Sequence, residues 1–136
     1  MTRINLVSVK DLSDQHLLAE HREIKRIPNV ILKGKFTLYD IPKTFCLGTG
    51  HVKFFYNKLA FLRNRYIDLY NECKSRGFNV TDYVDVFFKA TETYPSLCND
   101  WKPTLNDINL SESRISEKLK LNPSFYRWSN QNGIRL

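Results

Sequence analysis

Cysteine is scarce in this chain: 136 residues hold only Cys46, Cys73 and Cys98, widely spaced and in no C-x-x-C pair. An odd, scattered set supports neither a disulfide-stapled secreted domain nor a zinc site, and it fits reduced thiols in a cytoplasm, the expected location. Long apolar runs are missing as well. No stretch approaches the roughly 20 residues that cross a bilayer, and Met1-Thr2-Arg3-Ile4-Asn5 lacks the apolar core of a signal peptide, so no membrane partner is expected. Glycine and proline number five each, and no repeat or low-complexity tract is visible, which excludes collagen-like and linker-like chains. Acidic side chains are outnumbered, 14 against 21 Lys and Arg, leaving a formal charge of +7.

What is present suits one globule. With 42% hydrophobic residues, a chain of this length buries about two thirds of its unfolded surface and needs no metal or disulfide staple. A single domain spanning 1–136 is expected. The positive charge is uneven: acidic groups outnumber basic ones in 78–107, and the reverse holds on both sides. A solvated surface and a polyanion site both account for the charge alone, so its placement on structural elements has to decide.

Three main helices are predicted. Ser13 caps one over residues 14–26, with Leu12 and Leu17 at the hydrophobic-staple positions and Pro28 after its end. Val52, Phe55, Leu59, Leu62, Tyr66, Leu69 and Cys73 recur every three or four residues, which predicts a long helix from 49 or 50 to Gly77, whose glycine suits a left-handed cap. A third begins between Asn106 and Ser111 and ends before Pro123, with Ile108, Ile115 and Leu119 facing inward. Residues 27–45 and 78–103 show no sustained period and read as ordered loop with at most one helical turn. The fold class is therefore all-α. The tail Phe125-Tyr126-Arg127-Trp128 fits either a strap closing the core or an aromatic platform for nucleic acid.

On the first helix, Arg22, Arg26, Ala19, Glu23 and His16 share an arc of about 120°, while Leu17, His21 and Ile24 lie on another. Two arginines and a carboxylate around a small alanine suit a site where a sugar-phosphate backbone meets an acid or base. A solvated face on which Glu23 pairs with Arg22 and Arg26 is the competing reading. Gly48-Thr49-Gly50 can present backbone N–H groups to a phosphate or make a simple turn and cap, and His51 can reach a phosphate or hydrogen-bond that turn.

Thr2 follows Met1, and a small second residue permits removal of the methionine. The group then exposed is an α-amine with a pKa of about 8, against about 10.4 for lysine, so more of it is neutral and nucleophilic at neutral pH. Such an amine is a natural Schiff-base former. Many proteins begin this way and use the terminus for nothing, and a retained Met1 would block the chemistry.

Several blocks occur together in order: Thr2-Arg3-Ile4-Asn5-Leu6, Asp14-Gln15-His16-Leu17, Ala19-Glu20-His21-Arg22-Glu23 and Leu47-Gly48-Thr49-Gly50-His51-Val52-Lys53-Phe54-Phe55-Tyr56. Others follow at Lys58-Leu59, Phe61-Leu62-Arg63, Glu72-Cys73, Arg76-Gly77-Phe78-Asn79, Arg114, Glu117-Lys118 and Tyr126. In these the chain resembles the bacteriophage-type endonuclease V family of pyrimidine-dimer DNA glycosylases and AP lyases. It departs from that pattern at Lys25, in a shorter 27–44 loop and over 80–105.

The resemblance implies a compact single domain of three main helices with long ordered loops and an N-terminal segment threaded between helices. It implies that the Thr2 amine attacks C1′ at a cyclobutane pyrimidine dimer, with Glu23 as the catalytic carboxylate and an imine that leads to β-elimination. By the same resemblance Arg3, His16, Arg22, Arg26, Arg114 and Lys118 hold DNA. No cofactor or metal is implied, and the expected partner of a monomer is duplex DNA containing dimers or abasic sites. A non-catalytic or altered-specificity DNA-binding relative of the same fold is the alternative.

Overall fold

Ser13 opens the first helix as expected, its hydroxyl accepting the His16 N–H at 3.1 Å while its own backbone stays extended. The computed structural model describes residues 2–131, and among these it contains six α-helices, three short 3-10 turns and no strand. The all-α class is what the chain adopts. Helix α1 spans Asp14–Glu23 and turns Leu17 and His21 inward, with Leu12, Leu17 and Ile24 fully buried.

The expected continuation to Arg26 does not occur. Pro28 has no N–H for the Ile24 carbonyl, and its ring would crowd that carbonyl in a continuous helix. Ile24 instead accepts from Ile27 at 3.3 Å, and the chain restarts as α2 at Arg26–Leu32. Pro28 does not follow a helix exit; it lies in the first turn of α2, where an N–H has no intrahelical partner anyway.

The single long helix expected from 49 or 50 to 77 is also two: α3 at His51–Phe54 and α4 at Leu59–Ser75. Phe54 and Phe55 are consecutive and both buried. They join Phe45, Phe61 and Trp101 in an aromatic cluster with edge-on and stacked contacts. On one straight helix neighbours point about 100° apart, so the break at 55–58 lets both rings enter the core. Lys58 Nζ then covers the open Phe54 carbonyl at 2.9 Å. Helix α4 ends as expected at Gly77, in left-handed backbone with φ +87°. Phe78 N–H reaches Cys73 O at 2.9 Å and Gly77 N–H reaches Lys74 O at 3.0 Å, the bonding of a Schellman cap.

A helix absent from the sequence reading, α5 at Val84–Thr93, replaces part of the expected 78–103 loop. Asp82 Oδ1 accepts the Val84 N–H at 3.0 Å at its start, and Phe87 stacks on Tyr66 with centroids 4.8 Å apart. Its solvent side carries Phe88, 44% exposed, and its ten residues make fewer than three turns, too short a run for a period to stand out among β-branched Val84 and Val86. Helix α6 spans Leu105–Leu121 and starts with a reciprocal capping box between Thr104 and Asp107. Ile115 is buried, whereas Ile108 and Leu119 are half-buried.

The N-terminal segment does thread between helices. Ile4 N–H donates to His51 of α3, Leu6 N–H to Ser111 of α6, and Val7 O accepts from Arg65 of α4. The tail closes the other end of α1. Trp128 is buried with Nε1 donating to Asp11 O at 3.1 Å, while the Gln15 amide holds Phe125 O at 2.9 Å and Arg127 N–H at 3.0 Å.

Candidate active site

Two cavities flank the N-terminal segment. The first, about 270 Å³, is walled by His16, Ala19, Glu20 and Glu23 of α1, by Arg114, Ile115 and Lys118 of α6, and by Arg3 and Asn5. The second, about 250 Å³, is lined by Thr2, Leu47, Gly48, His51 and Val52, and it shares Arg3 and Arg114 with the first. Of the residues singled out in the sequence, Arg3, His16, Glu23, Arg114 and Lys118 therefore converge on one cavity, and Thr2 lies in its neighbour. Arg22 and Arg26 do not line either. Their side chains are exposed and pair with Glu23 at 3.9 Å and 3.3 Å.

Both readings of the α1 face are thus realised at once: Glu23 belongs to the local ion pairs and also faces the cavity. Its side chain is only 17% exposed, so it meets whatever enters with little competing water. The cavity holds a second carboxylate, and the two differ sharply. Glu20 is buried and gripped by Arg65, Nε to Oε2 at 2.8 Å and Nη2 to Oε1 at 2.9 Å. That bidentate pair answers the charge of Glu20 from behind the wall. Arg3, Arg114 and Lys118 face the same cavity, which therefore favours an anionic ligand next to Glu23.

The pKa values of both site histidines are lowered. Burial lowers the His16 pKa below its ordinary value, and Arg114, Lys118 and Arg3 push it further against the pull of Glu20. His51 is lowered first by burial too. Its Nδ1 bonds Cys46 O at 2.8 Å while Nε2 accepts from Ile4 N–H at 2.9 Å, the pattern of a neutral Nδ1–H imidazole. His51 thus bonds the loop and the N-terminal segment. Burial and the neighbouring Arg3 also lower the pKa of Arg114.

Gly48-Thr49-Gly50 makes a turn, closed by His51 N–H to Gly48 O at 3.1 Å. Gly50 has φ +89°, a left-handed conformation that strains any side chain, and a Cβ there would also crowd Pro42 Cγ at 3.1 Å. Neither Asn5 nor Glu20 stood out in the sequence as a functional residue. Glu20 follows His16 by four residues and precedes Glu23 by three, which is a legible hint of a shared face; its partner Arg65, 45 positions away, leaves no such trace.

Fold and site together define a small helical protein with a cationic, carboxylate-bearing cleft beside its N-terminal segment. A family model described as pyrimidine dimer DNA glycosylase matches residues 1–85. The match covers more than half of the chain, from the threaded segment to the first residues of α5, and the chain belongs to that family of DNA-repair enzymes. Helix α6, with Arg114 and Lys118, lies beyond the matched residues. No helix among the described residues is long and apolar enough to cross a membrane.

Proposed function

We propose that this chain excises ultraviolet-type cyclobutane pyrimidine dimers from duplex DNA and cleaves the strand through one covalent intermediate. After removal of Met1, the neutral Thr2 α-amine donates its lone pair to C1′ of the 5′ nucleotide. The glycosidic bond breaks and its electron pair leaves with the base. The nitrogen loses a proton, the sugar opens and the C1′ imine forms. Loss of a C2′ proton then expels the 3′ phosphate by β-elimination.

Glu23 stabilises the positive charge developing on the sugar and takes part in the proton transfers. Arg3, His16, Arg114 and Lys118 hold the backbone at the cavity, and Arg22 and Arg26 extend the grip along the outer face of α1. A bent, lesion-weakened duplex is the substrate, because a poorly stacked site needs less deformation energy to enter. Abasic sites enter the same pathway at the amine-addition step. The protein acts as a monomer and needs no cofactor, since its own amine is the nucleophile.

The observation that carries this reading is the half-buried Glu23 in a cationic cavity that shares two walls with the cavity of Thr2. The test is sodium borohydride trapping on ultraviolet-irradiated duplex, followed by mass mapping of the attachment. A reduced adduct on the Thr2 nitrogen is expected. No adduct from a preparation shown by mass to lack Met1 rules the imine out.

A further inference from the structure

We propose that Asn5 is a positioning residue whose carboxamide, wedged between the buried Glu20 carboxylate and the Arg114 guanidinium, holds Arg114 at the cavity wall in the orientation that grips a DNA phosphate. The proposal rests on the DNA-binding reading above. Asn5 Oδ1 accepts from Arg114 Nη2 at 3.0 Å, and Asn5 Nδ2 donates to Glu20 Oε1 at 2.9 Å. Asn5 is buried at 6% exposure.

The direction of the amide is dictated by its neighbours. A guanidinium only donates and a carboxylate only accepts, so a flipped amide would oppose N–H to N–H on one side and oxygen to oxygen on the other. Behind Asn5 the relay is rigid. Arg65 clamps Glu20 with two bonds and spends a third on Val7 O at 2.7 Å. The backbone on either side of Asn5 is pinned by Ile4 N–H on His51 and Leu6 N–H on Ser111.

Arg114 needs such a holder. It stands on α6 with a long flexible side chain, and Arg3, which shares both cavity walls with it, is of like charge and repels it. Asparagine alone among short side chains supplies one acceptor and one donor at this reach. Aspartate would set a second carboxylate against Glu20, and serine cannot span both partners.

The experiment measures affinity against salt for a duplex carrying a tetrahydrofuran abasic analogue, which forms no imine, so binding is read apart from chemistry. Arg114→Ala should lower the slope of log affinity against log salt by about 0.9, one phosphate contact. Asn5→Ala should lower it by a similar amount and weaken binding about tenfold at low salt. The double variant should lose nothing further.

A merely structural role for Asn5 reduces the folded fraction and leaves the salt slope of the folded protein alone. An unchanged slope in Asn5→Ala, or losses that add in the double variant, overturns the proposal. Asn5→Ser runs through the same cycle if the alanine variant does not fold. Borohydride trapping by the unsubstituted chain reports the imine mechanism separately: absence of an adduct with the cycle intact rejects that chemistry and supports the role of Asn5.

Discussion

The ring of Tyr126 lies flat against the imidazole of His16, with centroids 4.7 Å apart and planes within 12° of parallel. The tail therefore does more than cover the core. It shields from water a histidine that lines the candidate active site, and burial is the first cause of the lowered His16 pKa. In Tyr126→Ala the His16 pKa should rise toward the ordinary 6.5, read by NMR titration of the ring C–H signals. A midpoint that stays in place would exclude the stack as the source of the shift.

Glu23→Gln should separate binding from chemistry. The amide keeps the shape of the side chain and one acceptor oxygen for Arg26, but it cannot neutralise a cationic sugar or carry a proton. Affinity for ultraviolet-irradiated duplex is expected within a few-fold of the parent, with base release and strand cleavage lost. Parent activity should fall as pH drops below about 8, where the α-amine protonates, and chelators should leave it unchanged. Residual cleavage by Glu23→Gln near parent levels contradicts the assignment.

Glu20→Ala should be severely destabilising, although Glu20 and Glu23 line one cavity. It would strip the Arg65 guanidinium, whose side chain is 10% exposed, of its buried partner. Breaking such a pair from one side costs about 3–5 kcal/mol. Urea unfolding monitored by far-ultraviolet circular dichroism measures this, and a loss below about 1 kcal/mol would show that water reaches Arg65.

His16, His21 and His51 all have pKa values lowered first by burial. The folded state therefore binds protons less readily than the unfolded chain. The associated stability is present above the unfolded value near 6.5 and is lost as pH falls below it toward the folded values. Unfolding midpoints in urea should drop between about pH 7 and pH 5. His51 adds a local reading: a proton on Nε2 would face the Ile4 N–H, so the protection of the Ile4 amide, its exchange rate relative to the intrinsic rate at the same pH, should fall as His51 is protonated. Unchanged protection of the Ile4 amide through the His51 titration counts against the anchor.

The tail latch has its own pH signature. Burial alone would raise the pKa of Asp14, but hydrogen bonds from the Ser129 hydroxyl and backbone and from Arg76 outweigh it and hold the carboxyl below 3.8. Its stabilising contribution is full above 3.8 and disappears as acid takes the pH through the lower folded value. Asp14→Asn should weaken the latch already at neutral pH, exposing Trp128 and red-shifting its emission. Unaltered fluorescence in that variant would mean that the remaining bonds of the tail, among them Trp128 to Asp11 and the Gln15 amide to Phe125 and Arg127, hold Trp128 without the Asp14 side chain.

Part of this protein was legible residue by residue. Ser13, Leu12 and Leu17 announced the start of α1, Gly77 the end of α4, and the spacing of Ile115 and Leu119 the inner face of α6, because caps and staples act within one or two turns. The ordered blocks from Thr2 to Tyr126 pointed to the family to which the chain belongs. The breaks at 24–25 and 55–58 were less visible. Pro28 acts four residues upstream, and the burial of both Phe54 and Phe55 depends on a cluster completed by Trp101. Helix α5 escaped notice because it is only ten residues long and opens on a β-branched stretch that also suits a strand.

Local chemistry in the chain set which helices could begin and end where they do, and which side chains carried charge. Tertiary packing decided what those charges do. Two glutamates three residues apart on one helix became a clamped anchor and a cavity-facing carboxylate only because Arg65 arrives from α4 behind the first. Asn5 became a bridge only because α6 brings Arg114 to it across 109 positions of sequence. Hydrogen bonds and ion pairs fall off within a few ångströms, so their partners are chosen by proximity in space, which sequence separation does not encode.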